Sequence, residues 1–423
     1  MRMNAILTSL LLSLTLAGCS GGSNPAPASP TQTAATQSSV AAARPRPSTY
    51  PSYNTNPLPV DATGMASNAV TLAGKIKAGI NIGNSLEAIG GETAWGNPAI
   101  TLQQIQLIKQ SGFTAVRLPT SWDQYADQRT GKISDAWLAR VKQVVQWCVD
   151  SGLYVIVNIH WDGGWLDSNI TSSAQASVNA KQKAYWEQIA TTLRGFDEHL
   201  MFASANEPPA QDATQMAILM SYHQTFVDAV RSTGGRNAYR VLVVQGPKTD
   251  IDTTDTLMNS MPTDTVMNRQ MAEIHYYSPY QFTLMTADAN WGNQFYYWGT
   301  GYHSTTDTTR NATWGEEAYV DAEFAKMKQK FVDKGIPVVI GEFCAVRRTG
   351  TLSGANLQLH LNSRAYFHNY VSRVAMANGM LPFYWDAGGM GTNGSAVFNR
   401  QTNTVFDQQN LDALIRGANG LGL

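Results

Sequence analysis

Eight short apolar runs, separated by stretches of helical periodicity, constrain this chain more than any other feature. They read KAGINIG (77–83), FTAVRLP (113–119), LYVIVNI (153–159), LMFASA (200–205), RVLVVQG (240–246), MAEIHYY (271–277), IPVVIGEF (336–343) and MLPFYW (380–385). Runs this dense in Val, Ile and Leu suit strands covered on both faces, as a parallel sheet requires. Helical patterns occupy 101–111, 135–151, 176–195, 213–232, 316–334 and 359–378. Three of them end in SGF, SGL and KGIP, with Gly just past the helix and before the next strand. The alternation predicts an α/β chain folded as a (β/α)8 TIM barrel. A doubly wound open sheet is the alternative, although no G-x-G-x-x-G follows the first strand.

Polar residues recur where these runs end. Arg117 lies in the second, His160 follows the third, and Asn206 and Glu207 follow the fourth. His275 and Tyr277 close the sixth, Glu342 the seventh and Trp385 the eighth. A lone Arg or His at a strand end is usually a structural hydrogen-bonding group, and a lone Glu is usually solvated. Six of eight strands presenting such groups on the face where barrels build active sites is much harder to explain that way. Glu207 and Glu342 stand 135 residues apart, so only the fold can bring them together. Two carboxylates facing one cleft suggest glycosidic-bond cleavage. One serves as acid/base and the other as nucleophile, at roughly 5–5.5 Å in a retaining enzyme. Such a pair resists carrying two negative charges, so one member keeps its proton near neutral pH.

ANEP, RLP, HYY and IGEF, with NIGNSLEA and WGNP near the start, resemble glycoside hydrolase family 5, the cellulase-type retaining enzymes. The resemblance runs from about Asn81 to Trp385 with every motif in order. It implies that Glu207 is the general acid/base and Glu342 the nucleophile, through a covalent glycosyl-enzyme. It implies further that Asn206 bonds the sugar 2-hydroxyl and that Tyr277 bonds the nucleophile. His275 would lie beside the acid/base, and Arg117 would position and ionise Glu342. His160 would contact the −1 sugar, with Trp385 as the floor beneath it. No metal or organic cofactor is implied. Some branches carry a second histidine after the strand-three histidine, whereas NIHWDGGW has Trp161 there. Subsite preference is expected to change more than the reaction.

The first segment reads as an export signal (1–18): Arg2, then an apolar stretch too short to span a bilayer. LAGC, ending at Cys19, resembles the bacterial lipobox, which makes Cys19 a lipidation site; Ser20 after it favours the outer membrane. Residues 19–64, rich in Ser, Ala, Pro and Thr, are expected to be a flexible tether, and 65–423 a single catalytic domain. The membrane would then be engaged through the lipid alone, and the domain is expected to act as a monomer. A net charge of −1 argues against nucleic acid as a partner. The remaining cysteines, Cys148 and Cys344, are expected as buried thiols, with one disulfide as the alternative, and the seven His form no metal motif.

The long connection after SPYQF holds Trp291, Phe295, Tyr296, Tyr297, Trp298, Tyr302 and Trp314. A wall that stacks on an extended glycan is expected, against a loop that uses its aromatics as its own small core. Trp95, Trp122, Trp161 and Trp165 are further candidate sugar platforms. The expected substrate is a β-1,4-glucan cut internally; β-mannan, xyloglucan and mixed-linkage β-glucan are alternatives on the same frame. A tethered glycan-binding lipoprotein would explain the aromatics but not the paired carboxylates. A serine hydrolase lacks its G-x-S-x-G motif.

Overall fold

The computed structural model describes residues 49–423. The export signal, Cys19 and the tether up to residue 48 lie outside them.

Eight parallel strands close into a barrel: β1 (Gly79–Ile82), β2 (Ala115–Leu118), β3 (Tyr154–Asn158), β4 (Leu200–Ala203), β5 (Leu242–Gln245), β6 (Gln270–Tyr276), β7 (Val338–Phe343) and β8 (Met380–Asp386). Every strand lies within one of the eight apolar runs or within one residue of it, and β8 pairs with β1 to complete the circle. Eight helices surround it: α1 (Leu102–Gln110), α2 (Asp135–Asp150), α3 (Gln175–Leu193), α4 (Ala213–Ser232), α5 (Ile251–Leu257), α6 (Glu317–Lys330), α7 (Gly354–Ala377) and α8 (Gln408–Ala418). The glycines of SGF, SGL and KGIP do turn the chain out of their helices in the left-handed region, with φ of +98° at Gly112, +74° at Gly152 and +80° at Gly335.

Alternation along each strand divides the barrel wall. Outward residues such as Val116, Val157, Phe202 and Ile274 join the large core beneath the helices. Inward residues form two layers. At the floor, Ala115, Ile156, Met201, Val243, Met271, Val339, Leu381 and Phe383 pack together. Leu72 and Ile76, from and just after the short helix Ala69–Ala73, join that cluster and close the barrel from its amino-terminal end. One step further along each strand the inward positions turn polar, with Asn81, Arg117, Gln245 and Glu273 all fully buried. The apolar floor thus carries a polar layer at the mouth, where the βα loops begin.

Residues 49–64 depart from the expected tether. They form a strap that packs along α3. Tyr53 Oη donates to Thr130 O at 2.8 Å, and Glu187 accepts from Ser52 Oγ, Tyr53 N and Asn54 N at 2.6–3.2 Å. Arg194 donates to Asn56 O at 2.8 Å, and Leu58–Val60 then pairs with Gly234–Gly235 below the barrel. The composition that suggested a tether is low in large aliphatics, but hydrogen bonds rather than apolar burial hold this segment down.

Cys148 and Cys344 are buried free thiols, as expected. No helix among the described residues is long and apolar enough to cross a membrane.

Candidate active site

Three strands and one loop deliver the central groups. Arg117 points inward from β2 with its side chain fully buried. Its Nη1 donates to Glu342 Oε1 at 2.9 Å and to Asn81 Oδ1 at 3.0 Å; its Nη2 donates to Asn206 Oδ1 at 2.9 Å and lies 3.1 Å from Glu273 Oε1. Alternation on β6 places Glu273, His275 and Tyr277 two residues apart on one side. Tyr277 Oη donates to Glu342 Oε2 at 2.9 Å. His275 Nδ1 lies 2.7 Å from Glu207 Oε1, and its Nε2 lies 3.1 Å from Glu273 Oε1. One oxygen of Glu207, one oxygen of Glu342 and one ring nitrogen of His275 fall within 4.8 Å of one another.

Strict alternation would turn Glu342 away from the barrel axis. A β-bulge prevents this. Ile274 pairs with Ile340 but His275 pairs with Glu342, so β7 holds one more residue than β6, and β8 records the same shift. Gly341 is the extra residue. A Cβ placed there would sit 2.0 Å from Glu273 Oε1, so only glycine leaves room for that carboxylate.

The electrostatics follow from burial and neighbours. Burial pushes the Glu342 carboxyl above its ordinary range, and the Glu207 charge adds to this against the pull of His275 and Arg117. Burial alone would depress His275, but Glu342, Glu207 and Glu273 overcome it and raise the imidazole to about 9. Glu273 is pushed up by burial and pulled further down by Arg117 and His275, ending below the usual carboxylate range. Burial and the Glu342 charge hold Tyr277 well above its ordinary value, so its hydroxyl stays a donor. His160 is held well below its ordinary value by burial, Arg117 and His275, and so is neutral. Its ring lies parallel to Trp385, 5.8 Å away at 5°.

All eight expected cleft residues therefore converge at the mouth of the barrel. Sequence reasoning missed Asn81, Gln245 and Glu273. Glu273 carried a usable signal, since a charged residue in phase with His275 and Tyr277 on an otherwise apolar run must point into the barrel. Glu207, His275 and Glu342 are also the one group among the described residues with metal-ligand spacing. Each of those atoms is already engaged within the carboxylate network.

The aromatic expectations fare unevenly. Phe295, Tyr296, Tyr297 and Trp298 are buried, with Trp298 wedged against Phe282, Phe367 and Tyr370. The long connection therefore uses these rings as packing. Only Trp291 and Trp314 keep large exposed faces, while Tyr302 stacks on Tyr366. Trp122 and Trp165 are buried as well, with their indole N–H groups given to Asn158 O and Asp162 Oδ2. Trp95 and Trp161 remain exposed at the rim.

A carboxylate pair at this separation, with an arginine and a tyrosine on one member and an imidazole on the other, is equipped to break a glycosidic bond. Residues 80–391 match the family model described as cellulase (glycosyl hydrolase family 5). The chain belongs to glycosyl hydrolase family 5. Among similar proteins, the xyloglucan-specific endo-beta-1,4-glucanase of Bacteroides ovatus is 36% identical over 377 residues, covering 85% of this chain and 72% of that protein. Endoglucanase A of Paenibacillus barcinonensis is 36% identical over 374 residues, covering 82% and 90%. The structure of the Bacteroides ovatus family 5 xyloglucanase in complex with an XXXG heptasaccharide superposes with a TM-score of 0.79 at 34% identity, covering 88% of this chain and 81% of that one. The (β/α)8 fold and glycoside hydrolase activity go with the family.

Proposed function

We propose that this family 5 enzyme cleaves β-1,4-glucan chains internally, with retention of anomeric configuration. The observation that carries the reading is the separation of Glu207 and Glu342, whose nearest oxygens lie within 4.8 Å. That leaves no room for the water an inverting enzyme places between its carboxylates, at roughly 6.5–9.5 Å.

Arg117 and Tyr277 each donate to Glu342, which favours its ionised form against the opposing effect of burial and marks it as the nucleophile. Glu207, without those two donors, is left to serve as the acid. Glu207 protonates the leaving oxygen while Glu342 attacks the anomeric carbon. That step leaves Glu207 a carboxylate. Because the glycosyl-enzyme ester beside it carries no charge, Glu207 stays ionised and acts as base on the incoming water, regaining its proton. Asn206, fixed by Arg117, presents its amide to the 2-hydroxyl. Neutral His160 and the Trp385 face line the −1 subsite. Trp161, where other branches carry a second histidine, offers an indole face at its rim.

Xyloglucan is the second reading, favoured by the xyloglucan-specific relative and by the structure solved with a xyloglucan heptasaccharide. On the lipobox-like LAGC, we read the protein as exported and anchored through Cys19 in the outer membrane. Reducing-sugar release from carboxymethylcellulose, xyloglucan and β-mannan tests the substrate. Wild type is expected to act on the first two, and Glu342→Ala to lose nearly all activity while folding normally. Inactivity of wild type on every β-1,4-glucan would reject the reading, and substantial hydrolysis by Glu342→Ala would reject the nucleophile.

A further inference from the structure

Glu273 is the one fully buried carboxylate of the polar layer, and none of the roles above uses it. Its Oε1 faces Arg117 Nη2 at 3.1 Å and His275 Nε2 at 3.1 Å, and its Oε2 accepts from Gln245 Nε2 at 2.7 Å. Gln245 is fixed in turn, since its Oε1 accepts from Ala205 N at 2.8 Å, one residue before Asn206. The same Oε1 of Glu273 fills the space that a side chain on Gly341 would take, at the bulge that turns Glu342 inward. A buried carboxylate is costly unless paired and hydrogen-bonded, so this position is not a neutral choice. Packing alone would be served by an apolar side chain.

We propose that Glu273 is a positioning residue that sets the two catalytic carboxylates together, Glu207 through His275 and Glu342 through Arg117. The proposal rests on the retaining glycosidase reading of the site. By accepting from His275 Nε2–H, Glu273 fixes the ring orientation and leaves Nδ1 to face Glu207. A proton on that side is shared across the 2.7 Å contact between Nδ1 and Glu207 Oε1. By taking Nη2, Glu273 divides the Arg117 charge, so Glu342 receives only one guanidinium nitrogen. Glu342 then stays ionised without being neutralised outright, which preserves its nucleophilicity.

Five charged or titratable groups face His275 besides Glu273. Glu207 comes from the loop after β4, Glu342 from β7, Arg117 from β2 and His160 from the end of β3, with Tyr277 further along its own strand. Removing one negative charge from their centre lowers the proton affinity of all of them. Glu273→Gln keeps the shape and the Gln245 neighbour but not the charge. Its kcat/KM on an aryl β-cellobioside is expected to fall about 10²-fold, mostly in kcat, as for a misplaced catalytic group. Both limbs of its pH profile are expected to move to lower pH by at least about one unit.

Wild-type kcat/KM in Glu273→Gln overturns the proposal. So does a loss of activity with both limbs in place, the result a merely structural role would give. If Glu273→Gln does not fold, nitrogen-15 NMR of the His275 imidazole in wild type decides. A proton on Nε2 at pH 7 is expected, and an unprotonated Nε2 overturns the assignment. Wild-type inactivity on β-1,4-glucans would instead reject the substrate reading and leave the NMR result standing.

Discussion

At His275 the competition between burial and charge has a measurable sign. Burial opposes the imidazolium, three surrounding carboxylates favour it, and the carboxylates win by raising it from an ordinary 6.5 to about 9. A group with a raised folded value stabilises the fold fully below its unfolded value, and that contribution fades as pH rises through the folded one. The melting-temperature difference between wild type and His275→Gln is therefore expected to be largest near pH 6 and to narrow between pH 6.5 and 9.5. A difference that widens over that interval would contradict the charge assignment. The residues legible from the sequence were those standing at strand ends beside Pro, Gly or aromatic neighbours, such as Asn206, Glu207 and Glu342. Asn81 and Gln245 were not, because each sits inside a run whose apolar neighbours dominate the pattern, and Glu273 was passed over although its phase with His275 and Tyr277 marks it. What makes them functional is a partner on another strand. Asn81 donates to Gly341 O across the barrel at 2.8 Å, a contact that no spacing in the chain encodes.

Among the elements, strands were easier to read than the segments that bind through polar contacts. The eight apolar runs became β1–β8 because a strand buried on both faces carries its own signature. Two helices went unread: α5 is only seven residues rich in Thr and Asp, and α8, although amphipathic, follows the last strand and precedes no further one. The bulge at Gly341 is invisible beforehand, since register is a property of two strands. The aromatic connection after β6 was misread in part because a ring looks the same in sequence whether it meets a sugar or Phe367. The strap is the clearest case, and it yields a test. Glu187 keeps only 3% of its side chain exposed and takes three of its hydrogen-bonding partners, Ser52, Tyr53 and Asn54, from the strap. A truncated chain beginning at Met65 leaves that carboxylate with Lys183 alone, and is expected to lose about 1–3 kcal/mol of stability. Chemical denaturation reads this directly. An unchanged midpoint would mean that water replaces the strap at no cost, whereas activity at low temperature is expected to persist.

For the whole molecule, the division of labour is between a closed apolar floor and a polar mouth. The floor layer, sealed by Leu72 and Ile76, lets a ring of buried charge sit above it without water entering from below. The proposed lipid anchor belongs at this scale as well. Cys19→Ala is expected to shift the protein from membrane to soluble fractions, and an unaltered partition would reject lipidation.

The course of the strap has a mechanical consequence. Tyr53 meets the β2–α2 connection where it packs on α3, Asn54 and Asn56 meet the ends of α4 and α3, and Leu58–Val60 pairs with Gly234–Gly235 before the sealing helix begins. These contacts lie in series along one line. A load applied upstream of Tyr53 would peel them singly along the chain, with the Glu187 contacts yielding before the Leu58–Val60 pairing. The plug at the floor would feel the force last, so the catalytic layer is shielded by a fastening that gives way one contact at a time.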